Sequence, residues 1–203
     1  MTTVETLAPP DAPGAAAVLA RAFQADPMMV YLMPDPARRQ HVLPRFMGGV
    51  QRYCLTYGTV MVARDLSGVA CWLPPGGTDV TLARMARTGV VSAAASLGIG
   101  GLRRMLPLTS AMDRDHHRVM TGPHWYLWLL GTDPGQVGRG VGSALLRPVL
   151  ARADDQQVPC YLDTHSERNL SFYARHGFEP LVEGVVDGVR YWGLRRSPAP
   201  TAA

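Results

Sequence analysis

The sequence predicts an α/β chain, and three observations carry that prediction. A strongly apolar run at 125–130 leads into the glycine-rich stretch 138–142, then into a good helix at 143–153 and a strand at 158–164. Two further pairs of strand-like runs, 59–63 with 68–73 and 180–186 with 189–194, are each separated by a short polar turn and read as hairpins. The chain has 203 residues, 47% of them hydrophobic and 18% charged, which suits one domain with a substantial core.

In chain order, residues 3–7 alternate as a short strand. Residues 11–25 read as a helix with Val18, Leu19, Ala22 and Phe23 on one apolar stripe. Pro34 and Pro36 break the chain, and 37–55 is helical with a kink near Pro44. The first hairpin turns over Arg64, Asp65, Leu66 and Ser67 and is stopped by Pro74, Pro75, Gly76 and Gly77. The segment 80–120 is rich in Ala, Gly, Met and Arg and reads as helical, with breaks near Gly89, Gly98 to Gly101 and Pro107. The strand 125–132, the glycine loop, the helix and the next strand follow. Ser166 reads as an N-cap and Gly177 as the residue beyond a C-terminus, so a short helix lies between them. The second hairpin turns over Asp187 and Gly188, and the single domain spans 1–197. The tail 198–203 is expected to be disordered.

Composition excludes several classes. All 20 basic residues are arginine, the net charge is +4, and the isoelectric point is near 9.2. Such an excess suits an anionic ligand, but no compact basic run or aromatic-basic motif supports nucleic-acid binding. The three cysteines, Cys54, Cys71 and Cys160, are scattered, which argues against a disulfide framework or a zinc cluster. His116 and His117 lack a carboxylate pattern on a defined helix, so no metal is expected. No secretory signal and no run long enough to span a bilayer are present, and a cytoplasmic location is the expectation.

The loop carries the functional signal. Gly138, Gly140 and Gly142 let backbone N–H groups face a ligand without a side chain in the way. The following helix adds about half a positive charge at its N-terminus. That combination binds pyrophosphate and points to a nucleotide-containing cofactor. A Walker-type phosphate loop needs a lysine, and the chain contains none. A dinucleotide fingerprint needs a third glycine where Leu145 stands. The bland alternative is a mere helix-start turn.

The stretch from Val137 to Gly142 falls on the pattern Gln/Arg-x-x-Gly-x-Gly/Ala, and Tyr173 to Phe178 falls on Tyr-x-x-x-Gly-Phe. In this order and at this separation the two resemble the GNAT superfamily of N-acetyltransferases. Ala22-Phe23 with Asp26-Pro27, the strand from Gly68 to Trp72, and Arg168-Asn169-Leu170 before Phe172-Tyr173 are similar to the puromycin N-acetyltransferase-like branch. Two positions depart from the pattern. Val137 stands at the Gln/Arg position, and Ser166 stands where many members carry an Asn, with Asn169 nearer the tyrosine.

The resemblance implies a central mixed, mostly antiparallel twisted sheet of about six to seven strands flanked by helices. A helical insert at 80–120 precedes the cofactor-binding strand and either covers the acceptor pocket or has no substrate role. It also implies acetyl-CoA as co-substrate and a small-molecule primary amine as acceptor, antibiotic-like or aminonucleoside-like. Protein or peptide acetylation and a non-catalytic acyl-CoA sensor stay open as alternatives, and the chain is expected as a monomer or homodimer. The cofactor would be held by Leu130, Thr132, Val137, Gly138, Arg139, Gly140, Val141, Gly142, Ser143 and Asn169. Arg139 either contacts a phosphate or is solvated. A backbone N–H between Leu130 and Thr132, with Thr132 first, would stabilise the oxyanion. Tyr173 would be the general acid, since a phenol of pKa about 10 stays protonated beside a thiol of about 8.5; its alternative is packing against Phe172 and Phe178. The base position on the strand before the loop holds Tyr126, which is not a base. Asp163 is the catalytic candidate instead, with an ion pair or an acceptor contact as alternatives; His124 and His165 flank the cleft. Asp26, Tyr31, Tyr126 and Asp163 are the candidate acceptor contacts.

Overall fold

Seven strands form one sheet in the computed structural model, which describes residues 2–200. They are β1 (Val4–Thr6), β2 (Thr59–Ala63), β3 (Gly68–Leu73), β4 (Trp125–Thr132), β5 (Cys160–Thr164), β6 (Glu179–Val186) and β7 (Val189–Arg196). Their spatial order is β1-β2-β3-β4-β5-β7-β6. Only β4 and β5 run parallel, because the crossover helix α7 (Val141–Asp155) joins them; every other neighbour pair is antiparallel.

Every residue of β3 is buried, because both faces of the sheet are covered. Val69, Cys71 and Leu73 join a core built with the first helices of the chain, while Ala70 and Trp72 join a second core built with α7. The turn of the last hairpin places both Asp187 and Gly188 at positive φ, as a two-residue turn matching strand twist requires.

Two irregularities of β4 open the sheet. Cys71 lies opposite Leu129 and Trp72 opposite Leu127, so Trp128 is the extra residue of a bulge. On its other side β4 pairs with β5 only from Trp125 to Leu127. Beyond that point β4 continues beside β3, and Asp163 and Thr164 pair with β7 alone. The two strands part, and the backbone of β4 from Trp128 to Thr132 is left without a ladder partner on the β5 side.

The helices are α1 (Ala12–Ala22), α2 (Pro27–Leu32), α3 (Pro36–Tyr57), α4 (Leu82–Thr88), α5 (Val90–Ala95), α6 (Gly98–Val119), α7 and α8 (Leu170–Ala174). The expectation of one helix over 11–25 is corrected: α1 ends at Ala22, and Asp26 starts α2. The Asp26 side chain accepts from the N–H groups of Met28 and Met29, and Pro27 occupies the first turn. Neither Pro44 nor Pro107 divides its helix. Buried Leu43, Phe46 and Met47 hold α3 on the core across Pro44, and Leu108 does the same for α6. Gly89, at φ +78, separates α4 from α5. Ser166 caps no helix through its side chain; a 3₁₀ turn over Glu167–Asn169 precedes the shorter α8. Gly177 does close that segment at φ +79, and Phe178 donates to the Tyr173 carbonyl at 3.1 Å.

Part of the tail is tied down, contrary to the expectation for 198–203. Ala199 N–H donates to Asp154 at 2.7 Å, and its carbonyl accepts from Gln157 at 2.8 Å. Residues 201–203 lie outside the described residues. No helix among the described residues is long and apolar enough to cross a membrane.

Candidate active site

The parting of β4 and β5 opens a continuous cavity of about 1890 Å³. Ordinary ligand pockets occupy about 300–1,000 Å³, so this one has room for two molecules. One end is the glycine loop, the middle is the splay, and the other end is walled by α3 and the helices of the insert.

At the loop end, Gly138 and Gly140 adopt φ +83 and +79, conformations that side chains strain to reach. The first helical bond of α7 runs from Ala144 N–H to the Gly140 carbonyl. The N–H groups of Val141, Gly142 and Ser143 therefore precede the helical ladder, and no side chain caps this terminus. A Cβ on Gly142 would lie 3.1 Å from the Phe172 ring, so glycine keeps that approach open. This donor set fits a pyrophosphate. Val137, Gly138, Gly140, Val141, Gly142 and Ser143 all line the cavity, as do Leu130, Thr132 and Asn169. The Asn169 amide donates to Thr164 Oγ1 at 3.3 Å. Arg139 is exposed and does not join the lining, which agrees with the solvated alternative.

Tyr173 projects from α8 into the middle of the cavity, packed edge-on to Phe172 (5.1 Å) and Phe178 (5.9 Å). Burial first, and the carboxylate of Asp26 second, push its phenol well above the usual range. It therefore carries its proton throughout the neutral range. Asp26 lines the same cavity, with Oδ1 spent on the α2 cap, and burial raises its carboxyl above the usual value. His165 lies beside it, its imidazole held low by burial, with Nε2 3.4 Å from Met112 Sδ.

Asp163 faces the splay from the end of β5. Tyr161 donates to Oδ1 at 2.9 Å and Tyr126 to Oδ2 at 3.1 Å. Both tyrosines lower its pKa, but burial outweighs them and leaves the carboxyl at about 7. The strand register explains the clamp, since Tyr126 on β4 lies directly opposite Tyr161 on β5. Behind it sits a feature the sequence did not disclose. His116 of α6 stacks on Tyr161 with centroids 4.2 Å apart and planes within 5°. Its Nε2 is 2.7 Å from His124 Nε2, and His124 Nδ1 donates to the Gly122 carbonyl at 2.7 Å. His124 thus presents its Nε2 lone pair, and His116 donates to it. His124 is buried behind His116 and is not a cavity residue, so of the two expected flanking histidines only His165 flanks the cleft.

Tyr31 is a correction to the expected acceptor contacts. It lies outside the cavity lining, donates its hydroxyl to Asp187 at 2.7 Å, and has the Arg104 guanidinium 5.9 Å from its ring centroid. Its short helix turns that face toward the last hairpin. Among the described residues, no group of three or more His, Cys, Asp or Glu is placed to hold a metal ion. Trp128 and the insert residues from Val80 to His116 that line the cavity were not assigned individually from the sequence. A bulge leaves no compositional mark, and the helical periodicity of the insert does not say which face meets the cleft.

Comparison with known proteins adds the following. Residues 70–178 match the family model described as the acetyltransferase (GNAT) family. The chain is 26% identical over 172 residues to an uncharacterised N-acetyltransferase of Schizosaccharomyces pombe, covering 81% of this chain and 69% of that protein. A crystal structure from Corynebacterium glutamicum, described as histone acetyltransferase HPA2 and related acetyltransferase, is 26% identical with a TM-score of 0.69 and 100% coverage of both chains. The polyamine N-acetyltransferase of Drosophila melanogaster shares the fold at 15% identity and a TM-score of 0.62, with 97% of this chain and 100% of that one covered.

Proposed function

The chain belongs to the acetyltransferase (GNAT) family and is an acyltransferase of the N-acetyltransferase type, and we propose that it moves the acetyl group of acetyl-CoA to a primary amine of a small molecule. The observation that carries this reading is one cavity that joins an uncapped, glycine-lined helix terminus to a half-buried carboxylate across the splay of β4 and β5. Amine acceptors named for the Drosophila neighbour agree in kind.

Acetyl-CoA supplies an acetyl thioester, with its pyrophosphate against the N–H groups of Val141, Gly142 and Ser143. The C–N bond forms as the amine attacks the carbonyl, and the C–S bond breaks. Asp163 takes the proton that leaves the nitrogen. With its carboxyl at about 7, it is half ionised near neutrality and well matched to the task. Unpaired backbone N–H groups of β4 between Leu130 and Thr132 hold the negative charge that builds on the carbonyl oxygen. Tyr173 gives its proton to the departing sulfur.

The loop is tested by calorimetric titration with CoA. Wild type binds it, and Gly140→Asp, which sets a carboxylate and a strained Cβ against the pyrophosphate, does not. Normal affinity in that variant would remove the loop from the cofactor site.

A further inference from the structure

We infer that the acceptor is a monoamine with an apolar, aryl-sized body, seated in a chamber walled by the insert. This rests on the acetyltransfer reading and specifies the acceptor half of the same cavity.

The wall opposite the glycine loop is made of soft and flat side chains. Met85, Met105 and Met112 come from α4 and α6, Met47 and Phe46 from α3, and Trp128 from the bulge of β4. Methionine sulfur against aromatic faces favours an aromatic guest and adapts to its shape. The bulge adds to this by re-aiming one side chain of an otherwise regular strand. Trp128 meets Tyr53 edge-on at 5.1 Å, an arrangement that fixes the indole as a wall.

The mouth of the chamber is apolar as well. Leu82 is 69% exposed, Leu106 59% and Val91 42%, and all three line the same cavity. Exposed large apolar side chains scattered singly need no explanation, but three around one opening mark a binding surface.

The carboxylates of the cavity point the same way. A polycation would need several of them free. Asp26 Oδ1 holds two backbone N–H groups, each oxygen of Asp163 holds a tyrosine hydroxyl, and the Asp113 side chain is 72% exposed to solvent. One ammonium or amine at Asp163 is accommodated by shifting a tyrosine. A second and third cationic centre would sit among methionine and leucine side chains, where an unpaired charge is costly.

The test is calorimetry on the CoA-saturated full chain, which reads acceptor binding without requiring turnover. The probes are 2-phenylethylamine and tryptamine against putrescine and spermidine. The aryl amines are expected to bind at least about tenfold tighter than the polyamines, since a buried ring contributes more than one such factor. Leu106→Glu, an exposed change that spares the fold, weakens the aryl amines several-fold. Asp113→Asn leaves them unchanged. Tighter binding of spermidine, equal binding of both classes, binding of neither, or an unchanged aryl affinity in Leu106→Glu would each overturn the inference. Selective aryl binding without thiol release from acetyl-CoA would sustain the chamber while contradicting the acetyltransfer reading.

Discussion

At the scale of single residues, the proposed mechanism divides between Tyr173 and Asp163. Tyr173→Phe keeps the ring between Phe172 and Phe178 and removes only the hydroxyl. Its turnover is expected to fall at least about tenfold, since general-acid help is typically worth roughly 10²–10⁴, with CoA affinity unchanged; an undiminished rate removes Tyr173 from the chemistry. Asp163 predicts a pH profile. With the ionised carboxylate as the proposed base, kcat/KM for wild type should show an ascending limb through about 7. Asp163→Asn should flatten that limb and lower the rate. The same shift has a stability consequence of the opposite sense. A carboxyl whose folded pKa is raised contributes stability that is present below its unfolded value and lost as pH rises through about 7. Asp163→Asn should therefore melt higher than wild type at pH 8, and the advantage should vanish toward pH 4. The place of Tyr173 in the cavity was legible in the sequence because its motif is local. The environment of Asp163 was not: Tyr126, Tyr161 and His116 reach it through strand register and a helix from the insert.

At the scale of elements, short helices and irregular strands decide where the site lies. The strands and hairpins were legible because alternation and turn residues lie side by side in sequence. α2 was not, since six residues show no periodicity, although Asp26-Pro27 is a helix-start signal. That helix offers a way to separate two roles of Asp26. Asp26→Ala removes the cap and should cost about 0.5–2 kcal/mol of stability, while Asp26→Asn retains it. If acceptor affinity falls only in Asp26→Ala, together with stability, the residue acts through the helix. If both variants lose affinity, the carboxylate meets the acceptor itself. The parting of β4 and β5 is the element-scale feature with the largest functional weight. No residue type announces it; it follows from a three-residue parallel pairing and a bulge.

For the whole molecule, the sheet must stay rigid where its centre is split. Arg196 of β7 grips Asp154 of α7 with two bonds of 2.7 Å, and the guanidinium holds that carboxyl below its usual pKa. The pair ties the crossover helix to the far side of the sheet. Arg196→Met should cost about 1.5–3 kcal/mol near neutrality. A depressed carboxyl contributes stability present above its unfolded pKa and lost as pH falls through the folded one, so the difference between variant and wild type should shrink below about pH 4. An equal loss of melting temperature at pH 3 and pH 7 would contradict that origin. Transfer of acetyl groups to amines in the joined cavity is read by free-thiol release from acetyl-CoA with the purified chain. The panel should hold aryl amines, polyamines, aminoglycosides, puromycin and short peptides, with Tyr173→Phe alongside. Amine-dependent release that Tyr173→Phe slows is expected. Tight CoA binding with no release in the presence of any amine would contradict it.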